Sequence, residues 1–129
     1  GKNVPQADLP NNIITANYAP YSQLFSRACA IVHQGGIGTT AQALRAGRPT
    51  MVTPYSVDQP DNAARVERLG TSRTVSREQY TAKRVAKQLN ELLENPSYAD
   101  KAIEVGEIIR AENGVTVAYD AIEKRLNIA

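Results

Sequence analysis

The sequence predicts an α/β fold with a doubly wound parallel sheet. Short segments rich in β-branched residues alternate with segments whose apolar residues have helical spacing, an order typical of a parallel sheet with helices on both faces. Glycine or proline follows most of these segments and marks their ends. The predicted strands are residues 12–16, 30–33, 50–53 and 71–75. Because four strands are few for such a sheet, we expect a partial domain or a sheet completed by another chain.

The predicted helices follow from apolar spacing and from stop signals. A short helix opens at Pro20, a second helix over residues 39–46 stops at Gly47, and a third covers residues 59–69 before Gly70. The rest of the chain is predicted to be helical, with amphipathic stripes over residues 82–93, 98–109 and 118–126. The first ten residues, which include two prolines, predict an extended lead-in.

Composition narrows the class of protein. The 129 residues suffice for one domain, and the formal net charge of +2 comes from interspersed charges that do not form a nucleic-acid-binding block. No apolar run reaches the roughly 20 residues that a membrane span needs, and no secretory leader is recognised. Cys29 is the single cysteine, so we expect no internal disulfide or cysteine metal cluster, and we predict that it is buried. These features favour a cytoplasmic protein.

A glycine turn follows the second predicted strand. His33 ends the strand, Gly35, Gly36 and Gly38 form the turn, and Thr39 opens a helix. Amides at a helix N-terminus bind phosphate, and glycine lets the backbone approach the anion. The pattern is neither GxGxxG nor a Walker sequence. The alternative is that the glycines only close a tight turn, that Thr39 caps the helix and that His33 is structural.

A second polar group follows the third predicted strand and should face the same crevice, because carboxyl ends of parallel strands share one edge of the sheet. Asp58 and Gln59 form an acceptor and donor pair suited to sugar hydroxyls. Alternatively, Asp58 simply caps the next helix, with Pro60 in its first turn. Tyr18, near the end of the first predicted strand, could stack on a base or could be an ordinary core or surface tyrosine.

These segments together resemble the carboxyl-terminal domain of GT-B glycosyltransferases, in the family that includes plant, macrolide, sterol and rhamnosyl transferases. The resemblance covers residues 18 to about 70, and the closing helices are similar more loosely. Four collinear blocks carry it: Tyr18-Ala-Pro20, His33-Gln-Gly-Gly-Ile-Gly-Thr39, Ala43-Leu-Arg-Ala-Gly-Arg-Pro49 and Pro54-Tyr-Ser-Val-Asp-Gln-Pro-Asp-Asn-Ala63.

The resemblance implies a Rossmann-like fold and a role for each matching residue. His33, the backbone from Gly36 to Thr39 and the Thr39 hydroxyl would contact the diphosphate of a nucleotide sugar, and Tyr18 would stack on uracil or thymine. Asp58 and Gln59 would hold the sugar hydroxyls. Asn62 would line the same pocket.

The chain departs from the family pattern in two ways. Plant-type members carry a glutamate that holds the ribose eight residues after the histidine, where this chain has Ala41. In addition, the family's amino-terminal domain, which supplies the acceptor pocket and the usual general base, has no counterpart here. We therefore expect residues 1–129 to form a single partial, donor-binding domain with no catalytic residue of its own, inactive in isolation.

The expected function is the transfer of a hexose from a UDP- or TDP-sugar to an acceptor hydroxyl by a larger protein. The resemblance suggests inversion at the anomeric carbon, and we expect no cofactor or metal. The expected partners are the nucleotide sugar and an amino-terminal acceptor domain or partner chain, with no nucleic acid; nothing in the sequence supports membrane contact. The main alternative is a non-catalytic nucleotide-sugar-binding subunit. A sugar-nucleotide epimerase or a receiver-type signalling domain fits less well.

Overall fold

The computed structural model describes residues 9–126, and its centre is a three-stranded parallel sheet. The strands are β1 (Ile31–His33), β2 (Thr50–Val52) and β3 (Ser72–Thr74), in the order β1-β2-β3. Ile31 pairs with Thr50, and Thr50 pairs with Ser72. Three of the four predicted strands are confirmed, each slightly shorter than expected. The predicted lead-in lies largely outside the described residues.

Helices surround the sheet, and all the predicted helical segments are present. Their bounds are α1 Tyr21–Leu24, which runs into a 3-10 turn at Phe25–Arg27, then α2 Ile37–Ala46, α3 Gln59–Arg68, a 3-10 turn at Arg77–Gln79, α4 Ala82–Glu94, α5 Pro96–Ala111 and α6 Gly114–Leu126. Gly47 ends α2 in the left-handed conformation with φ 66°, as its predicted role as a stop requires.

The core lies on both faces of the sheet. Consecutive side chains of a strand point to opposite faces of the sheet, so Met51 and Val52 of β2 lie on different faces. Met51 packs with Val75 and Leu92, whereas Val52 packs with Ala63 and Val66 of α3. Helices therefore cover both faces of β2, which confirms the predicted doubly wound arrangement.

Residues 12–16 do not form the predicted first strand. This segment is irregular and exposed, and the side chain of Ile14 is 92% exposed. A β-branched run becomes a strand only when a neighbouring strand supplies backbone hydrogen bonds, and no strand of residues 9–126 pairs with it. β-propensity alone therefore gave the wrong assignment here.

Two smaller predictions also need correction. Helix α2 begins at Ile37 rather than Thr39, because Gly36 occupies the N-cap position with extended backbone angles. Cys29 is exposed, not buried. It lies in the irregular link between the 3-10 turn after α1 and strand β1, so its apolar neighbours in sequence do not bury it.

Helix α6 ends the described chain and buries none of its residues. Its predicted apolar stripe exists, but Ile122 and Leu126 on that stripe are exposed. Amphipathic spacing thus predicted the helix correctly without showing what it packs against.

Candidate functional site

The amino-terminal end of α2 is an uncapped helix terminus. Gly36 is the N-cap residue, and no side chain in the described residues makes a capping hydrogen bond to this end. The first N–H groups of any α-helix lack partners within the helix, which here concerns Ile37, Gly38 and Thr39. The first turn also contains no acidic residue that would oppose an anion. This end of α2 therefore presents amide donors and the positive end of a helix dipole.

Glycine is required at position 35. Its φ is +90°, a conformation that L side chains rarely adopt, and a Cβ atom built there would lie 2.9 Å from Val52 Cγ1 and 3.2 Å from the Gln59 carbonyl oxygen. Gly38 differs, because a Cβ atom there would meet no atom of residues 9–126 within 4 Å. Gly35 thus brings the turn against α3, whereas Gly38 leaves the space outside the first turn of α2 open.

His33 supports the turn from the end of β1. Its Nδ1 atom accepts a hydrogen bond from the Gly35 N–H at 3.0 Å, so the neutral ring carries its proton on Nε2. The side chain is only 9% exposed, and Nε2 is buried without a hydrogen-bond partner in the described residues. Burial lowers the pKa of His33 below the ordinary value of 6.5, so the ring is neutral at pH 7. His33 therefore offers the site an N–H donor rather than a positive charge.

The two threonines after the glycines differ in their bonding. The Thr40 hydroxyl donates to the Gly36 carbonyl oxygen at 3.0 Å, and this residue is buried. Thr39 is half-buried and lies in the first turn of α2, so it is not the N-cap residue of the alternative interpretation. Of the two hydroxyls, that of Thr39 remains the candidate for a ligand.

The loop between β2 and α3 lies beside the glycine turn. Thr53, which follows β2, donates its backbone N–H to the His33 carbonyl oxygen at 2.8 Å. Gln59 holds the loop together, since its Oε1 atom accepts hydrogen bonds from the backbone N–H groups of Tyr55 at 2.8 Å and Ser56 at 3.3 Å. Within this loop, Val57 has a positive φ of 60°.

Asp58 occupies the N-cap position of α3 but makes no side-chain capping bond. Its Oδ2 atom instead accepts a hydrogen bond from Asn62 Nδ2 at 2.7 Å. The same nitrogen donates to the Gly35 carbonyl oxygen at 2.9 Å. The structure thus brings the glycine turn, Asp58, Gln59 and Asn62 together at the carboxyl edge of the sheet.

Tyr18 lies apart from this group. Its side chain is 84% exposed and lines an open groove of about 560 Å³ formed by residues 16–22 and Gln42. His33 lines a different groove of about 200 Å³, with Thr53, Tyr55 and Tyr80 among its other walls. The two grooves lie at opposite ends of the glycine turn in sequence, since His33 precedes the turn and Gln42 lies on α2, which follows it. These two grooves share no residue.

Sequence reasoning missed Gln42. It lies one turn after Thr39 on α2, next to Ala41, the position where plant-type relatives are expected to carry a ribose-binding glutamate. Helical spacing from Thr39 could have identified it as a groove residue. Tyr55 and Tyr80 gave no such signal, because they reach the His33 groove from separate loops.

The described residues contain neither a group of metal ligands nor a helix that could span a membrane. Among residues 9–126, no three or more His, Cys, Asp and Glu side chains are grouped so that they could hold a metal ion. Over the same residues, no helix has the length and apolar character needed to cross a membrane.

Comparison with known families decides the classification. Residues 2–121 match the family model for the erythromycin biosynthesis protein CIII-like, C-terminal domain. The chain belongs to this family. Among curated relatives, O-mycaminosyltylonolide 6-deoxyallosyltransferase of Streptomyces fradiae is 38% identical over 121 residues, which are 93% of this chain and 29% of that protein. Sterol 3-beta-glucosyltransferase of Kluyveromyces lactis is 38% identical, over 95% of this chain and 10% of that protein.

Solved structures of GT-B glycosyltransferases have the same fold as this CIII-like domain. The glycotransferase of kitacinnamycin superposes with a TM-score of 0.85 at 31% identity, over 96% of this chain and 33% of that one. The glycosyltransferase VinC, solved in complex with DTDP, gives 0.76 at 30% identity, over 81% and 27%. The chain therefore has the partial Rossmann-like architecture of the carboxyl-terminal half of a GT-B fold, and it spans a third or less of each of these four proteins.

Proposed function

We propose that this chain is the donor-binding part of a glycosyltransferase that moves a hexose from a UDP- or TDP-sugar to an acceptor hydroxyl. The observation that carries the proposal is the uncapped amino-terminal end of α2, which follows the glycine turn and has no acidic residue in its first turn. A diphosphate is the part of a nucleotide sugar that such an end would bind. Family membership supports the glycosyltransferase class.

Each predicted site residue has a place in this proposal. The amides of Ile37, Gly38 and Thr39, with the Thr39 hydroxyl, would donate to the diphosphate. Gly35 and Gly36 would form the turn that exposes those amides. His33 would hold Gly35 in place through Nδ1. Direct contact between His33 Nε2–H and a phosphate oxygen would require a small displacement of the turn, because that atom is enclosed.

The nucleoside and the sugar of the donor would lie on either side of the diphosphate. Tyr18 is exposed and would stack on the base, and Gln42 in the same groove would bind the ribose hydroxyls. Asp58 and Gln59 would bind hydroxyls of the sugar, with Asn62 beside them. A thymine nucleotide is one candidate donor, because the similar glycosyltransferase VinC was solved with DTDP. The choice between UDP and TDP is therefore part of the test.

The chemistry would be a displacement at the anomeric carbon. The acceptor oxygen forms a bond to that carbon, the bond from the carbon to the diphosphate oxygen breaks, and the configuration inverts. The end of α2 would stabilise the negative charge that grows on the departing diphosphate. The acceptor proton would pass to a general base outside this chain, in the part of the relatives that it does not span.

Calorimetric titration of the chain with UDP, UDP-glucose and TDP tests the binding proposal, with the folded state checked by circular dichroism. Saturable binding that weakens in His33→Ala supports the proposal, and the ratio of UDP to TDP affinity identifies the preferred nucleotide. Lack of binding by the folded chain, and also by the full-length protein that contains it, would refute the proposal.

A further inference from the structure

Asn62 links the glycine turn to Asp58, the N-cap residue of α3. Gly35 already packs closely on α3, since a Cβ atom there would lie 3.2 Å from the Gln59 carbonyl oxygen. Asn62, one turn into α3, adds two hydrogen bonds across the same contact, one to the Gly35 carbonyl oxygen and one to the Asp58 carboxylate. The two proposed subsites, for diphosphate and for sugar, therefore meet at Asn62.

The hydrogen-bonding capacity of Asn62 determines what it can do for a ligand. A side-chain amide nitrogen has two hydrogens, and both are engaged, at 2.9 Å to Gly35 and at 2.7 Å to Asp58. The nitrogen therefore has no hydrogen left for a sugar hydroxyl, and within residues 9–126 the amide oxygen is the one polar atom of this side chain still open to a ligand. The hydrogen bond to Asp58 joins a neutral donor to an ionised acceptor, which makes it a strong orienting contact.

Asp58 has few other constraints. Its side chain is exposed and makes no capping bond to α3, so the hydrogen bond from Asn62 is its one hydrogen bond within the described residues. A free aspartate side chain would populate several rotamers, and ordering it on ligand binding would reduce affinity. The bond from Asn62 fixes the carboxylate before the ligand arrives.

We propose that Asn62 is a positioning residue that holds the Asp58 carboxylate in a fixed position relative to the glycine turn. Asn62 thereby determines how much more tightly the nucleotide sugar binds than the nucleotide alone. This inference rests on the proposed function, in which Asp58 binds the donor sugar. Its specific content is that Asn62 acts through Asp58 and not by touching the ligand.

A double-mutant cycle tests this inference. The affinities of UDP and UDP-glucose are measured by calorimetry for the wild type, Asn62→Ala, Asp58→Ala and the double variant. We expect each single substitution to weaken UDP-glucose by about tenfold, the effect of one hydrogen bond to a charged group, and UDP by less than threefold. In the double variant, loss of Asn62 should add little to the loss of Asp58, because the two act as one unit.

Two further variants separate hydrogen bonding from general damage. Asn62→Leu keeps a side chain of similar size and no charge but removes both N–H donors, so it should behave like Asn62→Ala. Asn90→Ala, at an exposed asparagine of α4, should change neither affinity. Thermal unfolding of every variant checks that the fold is retained.

The outcomes distinguish the inference from the proposed function. If Asn62→Ala weakens UDP and UDP-glucose equally, or if the effects of Asn62→Ala and Asp58→Ala add fully, Asn62 does not act through Asp58 and the inference is wrong, while the diphosphate site stands. If the folded wild type, and the full-length protein that contains it, bind neither compound, the proposed function fails and the inference fails with it.

Discussion

Gly35 and Gly38 lie three residues apart, and alanine substitutions at these positions separate folding from binding. At Gly35, alanine would have to adopt φ near +90° and would place Cβ 2.9 Å from Val52 Cγ1. The left-handed conformation costs about 1–2 kcal/mol and the steric overlap about 1–3 kcal/mol. Urea unfolding should therefore show that Gly35→Ala is destabilised by about 3 kcal/mol.

Gly38→Ala should have the opposite effect on stability. A Cβ atom there meets nothing within 4 Å, and alanine is favoured over glycine in a helix, so the free energy of unfolding should rise by about 0.5–1 kcal/mol. Because the Cα–Cβ bond tilts towards the helix N-terminus, the new methyl group points to where phosphate oxygens would lie. We expect the affinity for UDP to fall by about tenfold or more, the effect of losing one hydrogen bond to a charged group, in a variant more stable than the wild type.

Gly114→Ala provides the matched control for Gly38→Ala. Gly114 is also a helix residue with open space around its Cβ position, but it lies at the start of α6. This variant should bind UDP as the wild type does. If Gly38→Ala also bound UDP with wild-type affinity, the diphosphate would not lie against the first turn of α2, and the reasoning about this site would be wrong.

Three other predictions concern single residues. Burial lowers the pKa of His33 below 6.5, so the unfolded chain binds more protons than the folded chain just below that pH. The stability that neutral His33 contributes is therefore present above pH 6.5 and is lost as the pH falls. Urea unfolding from pH 7.5 to 5.5 should show a steeper loss of stability for the wild type than for His33→Ala. Equal slopes would contradict this. Tyr18→Ala should change stability by less than about 0.5 kcal/mol but weaken UDP by about 1–3 kcal/mol through lost base stacking, whereas Tyr119→Ala, at an exposed tyrosine of α6, should leave UDP affinity unchanged in the same titration. Val57 has φ 60° and is 92% exposed, so Val57→Asn should raise the melting temperature, with a gain of about 1 kcal/mol from relief of the left-handed strain; a lower melting temperature would be inconsistent with that strain.

Much of the fold could be predicted because its signals are local. The strands around Ile31, Met51 and Arg73 follow from short segments bounded by glycine or proline, and α2 follows from helix formers that end at Gly47. The neighbourhood of the glycine turn and Asp58 was also predictable, since the carboxyl ends of adjacent parallel strands share an edge. These inferences need only residue type, spacing and one rule of topology.

The remaining features depend on contacts that spacing does not encode. Residues 12–16 have the composition of a strand but pair with no strand among residues 9–126, and Cys29 is exposed despite its apolar neighbours in sequence. The family resemblance predicts that Asn62 lines the pocket, but only the structure shows that its amide bridges Gly35 and Asp58. Similarly, the order of motifs could not show that Tyr18 lines a groove separate from that of His33.

The most direct test of the diphosphate site is to follow the backbone amide resonances of Ile37, Gly38 and Thr39 by ¹⁵N–¹H NMR during titration with UDP, with uridine as the comparison. The proposed site predicts saturable shifts of these three amides with UDP that uridine, which lacks the diphosphate, does not reproduce. Saturable UDP binding that leaves these amides unchanged and shifts resonances elsewhere would contradict the assignment of the diphosphate to the end of α2.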